Sequence, residues 1–347
     1  MSASPPHLPW QRVASILWFP VFFAVALPLT FEVVYHQPRP RHVSIAVVGG
    51  TSRVRLVANE LNHISPGGFE VRRLASPAAA SDAVRDRKVA AAYAGGSAPT
   101  VYLAQAAAPL RANYLEQVFG KIAAASGREP PHVVDLVPLA SGDSGLGVFF
   151  FVFPLMMAGL ITAIVLLQLP AWGIGRRVLV VGAVGAIGAL AAYLTVVGLH
   201  VLPADPLLLA YAFLLTQVYG QLMASVASFL KQYFLPVSLT AALIISVPSS
   251  GGTVSPDMMP GLFHGLSYVL PLGQGVTITR GVAYFHNAGI AQATLVLGLW
   301  AALAAGAVAF AWVRQARPRC TGPRSSLTPG ETSSAPIPTH ARPQEAV

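Results

Sequence analysis

Residues 147–169 read GVFFFVFPLMMAGLITAIVLLQL, 23 positions without one charged side chain. A helix of about 20 mostly apolar residues is long enough to cross the hydrocarbon core of a bilayer. A helix apolar on every face must be wrapped in other apolar groups, and lipid supplies them on all sides. Residues 178–199, 207–230 and 290–313 have the same character, and residues 13–35 share it but for Glu32 near their end. Residues 235–247 are apolar too, but short of a full span unless their flanks join it. Six transmembrane helices are therefore predicted. Composition agrees: 10% of the residues are charged and 54% hydrophobic, against roughly 25% charged in soluble domains.

The first span holds Pro20 and Pro28, which membrane helices tolerate because neighbours re-satisfy the freed backbone groups. A secretory signal would show a shorter apolar core and a small-residue cleavage site. Residues 13–35 are expected to remain as an uncleaved span behind a short cytoplasmic segment, 1–12. Residues 36–144 then change pattern. HVSIAVVGG, GFEVRRLA, VAAAYAGG, PTVYLAQ and PHVVDLVPL read as strands. TSRVRLVANELNHI has helical spacing with Thr51 or Ser52 as its cap, and SPAAASDAVRDRK begins with Ser76 as cap and Pro77 at the first helical position. PLRANYLEQVFGKIAAASG reads as an amphipathic helix ending at Gly127. Strands alternating with helices predict a small α/β domain with a partly parallel sheet. The fold class is thus a polytopic α-helical membrane protein with an α/β domain inserted between the first and second spans. The membrane domain covers residues 147–313, and the Pro- and Ser-rich residues 314–347 read as a disordered cytoplasmic tail.

The formal net charge is +9, and its placement orients the chain. With the N-terminus inside, Arg12, Arg176, Arg177, Lys231, Arg314, Arg317 and Arg319 fall on cytoplasmic flanks, while the short outer loops hold only Arg280. Arg39 and Arg41 stand against this arrangement, but long domains cross largely regardless of charge. The α/β domain is expected outside and both termini inside, in the plasma membrane. The basic residues form no aromatic-interleaved patch, so no nucleic-acid partner is expected. One cysteine, Cys320, leaves no internal disulfide and no cysteine zinc cage. No metal-ligand spacing occurs among the His and Asp residues of the domain, and no cofactor is expected. The GDSG at residues 142–145 resembles a serine-protease signature only in letters, because it falls where the domain re-enters the membrane. No catalytic residues are assigned, and the chain is not expected to be an enzyme.

Between residues 247 and 290 the apolar pattern breaks at PSSGGTVSPDMMPG and almost resumes at LFHGLSYVLPLGQG. Backbone broken by Pro and Gly cannot face lipid, since its N–H and C=O groups would lack partners. It has to lie at the interface or against other helices. About ten residues of apolar helix suit a re-entrant or interfacial segment rather than a span. Pro271, Gly273 and Gly275 are expected to end that segment, with Arg280 opening a second short polar turn. The whole, residues 249–285, reads either as a re-entrant hairpin capping a pathway or as an ordinary structured outer loop.

One span, an outer α/β domain, further spans and this hairpin together resemble the type-2 ABC exporter permease superfamily, in its phage-infection-protein-like branch. The residues carrying the resemblance are Pro248, Ser250, Gly251 and Gly252, then Pro260 and Gly261, Leu270 and Pro271, and Arg280 with Tyr284 and Phe285. The Phe-rich FFFVFPLMMAGL and the segment AVRDRKVAAAYAGG also fit. The resemblance implies a homodimer, or a heterodimer with a related permease, and a separate ABC ATPase. The ATPase would dock on residues 1–12 or on PAWGIGRR, around Trp172, Arg176 and Arg177. The chain has only three lysines and no Gly-x4-Gly-Lys-Ser/Thr loop, so it cannot itself hold ATP that way. The alternative for those arginines is topology and headgroup anchoring.

Two other features are candidate packing or pathway faces. Gly182, Gly185, Ala186, Ala189 and Ala192 let a neighbouring helix approach closely. Gln217, Gln221, Ser225 and Ser228 share one face of their helix and must turn away from lipid. They either bond between helices or line a substrate pathway. Two functions follow from different classes. One is a permease subunit of an ATP-driven exporter for an apolar or amphipathic compound or an envelope component. The other is a non-transporting receptor, anchor or secretion accessory of the same fold.

Overall fold

The computed structural model describes residues 10–316 apart from Ser97, Ser126, Arg128, Ser141 and Gly142. Most of the predicted docking segment 1–12 and the tail from Arg317 onward lie outside the described residues. Five helices are long and apolar enough to cross a membrane. They are α1 (Trp10–Tyr35), α5 (Gly147–Leu167), α6 (Ile174–Gly198), α7 (Pro206–Leu230) and α11 (Ala291–Ala316). The chain is therefore a polytopic helical membrane protein.

The predicted span at residues 235–247 is not among the five. It folds as α8 (Phe234–Leu239) running into a π-helical stretch, Thr240–Ser246. There the Val247 N–H reaches back five residues to the Ala242 carbonyl at 3.1 Å. The wider coil and Pro248 stop this segment before it matches its neighbours in length.

Between α1 and α5 lies a five-stranded sheet in the order β2-β1-β3-β4-β5. Its strands are β1 (Val43–Val48), β2 (Phe69–Leu74), β3 (Ala91–Ala94), β4 (Thr100–Leu103) and β5 (His132–Asp135). β1 pairs parallel with β2 and β3, β3 pairs antiparallel with β4, and β4 pairs parallel with β5. The helices α2 (Thr51–Ile64), α3 (Pro77–Arg85) and α4 (Pro109–Ala125) complete the domain. Ile45, Leu61, Leu103, Leu115 and Phe119 bury one face, each contributing roughly 1.5–3 kcal/mol by leaving water. Ser76 caps α3 as predicted, its Oγ accepting from the Ala79 N–H at 3.2 Å. For α2 the expectation fails. Its N-cap is Gly50, with no side-chain cap, and Thr51 already lies in the helix. The sharp turn at Gly49 (φ +143°) starts the helix one residue earlier than the hydroxyls suggested.

The membrane helices pack without that driving force, since lipid is as apolar as their side chains. Close backbone approach replaces it. A Cβ on Gly159 of α5 would stand 2.8 Å from the Gly220 nitrogen of α7, so glycine there lets these helices touch, while a Cβ on Gly220 would meet Val181 of α6. On α6, Gly185 faces Thr216 and Gln217 of α7, and Ala189 is buried. Ala186 is exposed, so the small-residue face of α6 is narrower than the sequence suggests.

Candidate functional site

The chain leaves the π-helical stretch into Pro248 and then bends at Gly251, whose φ of +72° strains any residue with a Cβ. Residues 256–258 make a short turn, α9 follows (Gly261–Ser267), then α10 (Pro271–Tyr284). Pro260 stands at the start of α9, and Pro271 opens α10, where a missing N–H costs nothing. The apolar segment does end before Pro271, as expected, but Gly273 and Gly275 do not belong to a break. α10 is continuous, and its glycines serve packing: a Cβ on Gly273 would collide with the Ser267 carbonyl, and one on Gly275 with Val152 and Leu215.

Nor is Arg280 in a polar surface turn. It sits inside α10 with 5% of its surface exposed. α10 packs on α5, α7 and α11, and nearly all its residues from Leu272 to Val282 are buried. The Arg280 guanidinium donates to the Gly251 carbonyl at 2.7 Å and to the Gly252 carbonyl at 2.8 Å. Those carbonyls have no helical partner, and where they are buried they need donors. Arg280 thus ties the two halves of the hairpin together. Gly252 packs against the Phe149 ring, with no room for a side chain. Gln274 donates to the Ser267 carbonyl at 2.8 Å, and the His264 Nδ1 lies 2.8 Å from the Pro256 carbonyl.

The α/β domain sits on this hairpin through side chains that sequence reasoning missed. Arg111 of α4 donates to the Asp257 carboxylate at 2.6 Å and to the Ser255 hydroxyl at 3.3 Å. The Arg41 N–H donates to the Asp257 carbonyl at 2.8 Å. Arg87, between α3 and β3, donates to the carbonyls of Thr277 and Ala288 at 3.3 and 3.4 Å and lies 5.3 Å from the centre of the Phe285 ring. Burial, with Arg111 nearby, lowers the Arg87 pKa to about 10, so it stays protonated at neutral pH. Asp257 carried the one available signal, a lone acid in a Pro- and Gly-rich break. Arg87 and Arg111 carried none, because ordinary helices and turns hold such residues.

Domain and hairpin enclose a cavity of about 930 Å³. Its wall includes Arg39, Arg41, Arg87, Lys88, Arg111 and Arg280, and Asp257 is the only acid on it among the described residues.

The predicted polar stripe lies elsewhere. Gln217 donates to the Val181 carbonyl of α6 at 3.3 Å, and Gln221 donates to the Val178 carbonyl at 3.2 Å and to the Gln217 amide oxygen at 3.1 Å. Ser225 is buried, and the side chain of Ser228 lies outside what is described. These glutamines join α7 to α6. At the end of the bundle away from the domain, Arg177 donates to the Leu169 carbonyl at 3.2 Å, capping the end of α5. Arg176 is exposed and Trp172 half-buried beside it. Asp143 accepts from the N–H groups of Gly145 and Gly147 at 2.9 and 3.2 Å, which makes residues 143–147 a helix-entry turn. Among the described residues no group of His, Cys, Asp and Glu could hold a metal ion. No known family, curated protein or solved structure matches the chain.

Proposed function

We propose that the chain is the permease subunit of an exporter, driven by an ATPase on a separate chain. It would move an amphipathic or apolar compound, or an envelope component, out through the plasma membrane. The observation that carries this reading is the hairpin, in which broken backbone and a buried arginine lie among apolar helices. Transporters build substrate sites from discontinuous helices packed in this way, and a charge at such depth is functional by default. In this reading the segment from Phe234 to Ser246 makes the sixth crossing. The α/β domain lies outside, and Arg176, Arg177, Lys231 and Arg314 mark the cytoplasmic end. Exposed Arg176 with Trp172 offers the ATPase a docking corner, and two copies of the permease form the working unit.

A second reading has a specific observation in its favour. The amides of Gln217 and Gln221 bond to α6 carbonyls, which suits helix packing rather than a polar pathway. A receptor or secretion accessory of this fold would need no pathway at all. Purification of the tagged chain from its own membranes in mild detergent, with mass spectrometry of its companions, separates the two. The permease reading expects a P-loop ATPase in stoichiometric amount. Secretion or envelope proteins in its place would overturn it.

A further inference from the structure

The cavity between domain and hairpin has an excess of positive charge that the chain does not balance. Lys88 is paired with Asp86 at 2.8 Å, and Arg111 with Asp257 at 2.6 Å. Arg39, Arg41, Arg87 and Arg280 have no carboxylate within 4.0 Å among the described residues. Two of these four are enclosed: Arg280 is buried in α10, and Arg87 is wedged against Phe285. Backbone carbonyls satisfy their hydrogen bonds but carry no net negative charge. A buried cation without a counter-charge is costly, and a chain that gathers four around one space favours an anion there. α10 starts at the same wall, since Gly273 and Gln274 line it, and the positive end of its dipole adds to the field.

Size and surroundings narrow the class. About 930 Å³ is far more than one inorganic phosphate needs, and suits a substituted headgroup. Tyr268 lines the cavity, while Leu262 and Val269 beside it on the α9 segment are exposed apolar side chains. A polar chamber adjoining an apolar surface fits a molecule with a charged head and a hydrocarbon tail. We propose that this cavity binds the phosphate-bearing headgroup of an anionic amphipath. The guanidinium groups of Arg39, Arg41 and Arg87 contact its oxygens, and its tail lies along α9. The assignment deepens the permease reading by naming a ligand class, but binding needs no ATPase, so either can fail without the other.

The test uses the full chain in a zwitterionic detergent at low salt. Melting temperature is followed against dihexanoyl phosphatidic acid, dihexanoyl phosphatidylcholine and inorganic phosphate. A saturable rise with the phosphatidic acid alone supports the site and its amphipathic occupant. Equal affinity for inorganic phosphate supports the anion site but assigns it to a free anion. No saturable effect of either anion overturns the proposal. The double variant Arg39→Gln/Arg41→Gln alters exposed side chains outside the packed hairpin. It should bind about tenfold more weakly or worse, since it loses two charge-assisted contacts. Unchanged affinity in a variant that melts normally would also overturn it. Binding of the phosphatidylcholine at the same affinity would mean that apolar contact, not charge, drives the association, with the same consequence.

Discussion

The α7 glutamines and the hairpin both place polar groups in the membrane part, and they handle them oppositely. On α7 the backbone is continuous, so its own groups are satisfied, and Gln217 and Gln221 are free to reach carbonyls on α6. In the hairpin the backbone is broken, and a side chain has to come to the backbone: Arg280 serves the carbonyls of Gly251 and Gly252. The first arrangement adds a few neutral bonds between helices that would exist without them. The second makes the fold of about forty residues depend on one charged group. Polar side chains in a span therefore need not mark a site.

If that contrast is right, four variants should differ in a fixed order. Arg280→Met leaves two buried carbonyls without donors and should cost about 2–6 kcal/mol, roughly 1–3 kcal/mol for each. It should appear as a large drop in melting temperature, or as a chain that cannot be purified folded. Arg280→Lys keeps the charge but lacks the fork that reaches two carbonyls, and should recover only part of the loss. Asp257→Ala removes one link between domain and hairpin and leaves Arg111, less than one-fifth exposed, without its carboxylate. About 1–3 kcal/mol is expected, with faster proteolysis at the domain boundary as an independent readout. The double change Gln217→Leu/Gln221→Leu should cost least, about 0.6 kcal/mol for each amide. A stripe that outweighed Arg280 in the same assay would reverse the contrast.

Much of this molecule was legible in its sequence, and the failures share a cause. Uncharged length announced the five long helices, and the alternation of strand and helix patterns announced the sheet. Ser76 and Pro77 named the start of α3, because a cap is a local device. The continuity of α10 was not legible. Gly273 and Gly275 look like helix breakers until Ser267, Val152 and Leu215 are seen pressing on them. Arg280 looked like a loop residue because its acceptors lie 28 and 29 positions earlier in the chain. The cavity drew its arginines from the α1–β1 connection, the α3–β3 turn, α4 and α10. No spacing rule links residues so far apart, so the site became visible only when the chain had folded.

Everything said of the hairpin as the outer end of a pathway rests on which side of the membrane it occupies. Replacing Cys320, the only native cysteine, by serine gives a background for single-cysteine labelling in intact cells. A membrane-impermeant maleimide should label Asp82→Cys in the α/β domain and Gln292→Cys beside the cavity without permeabilisation. It should reach Arg176→Cys only once the membrane is opened. Labelling of Arg176→Cys in intact cells, with the other two protected, would place domain and cavity inside and contradict the account.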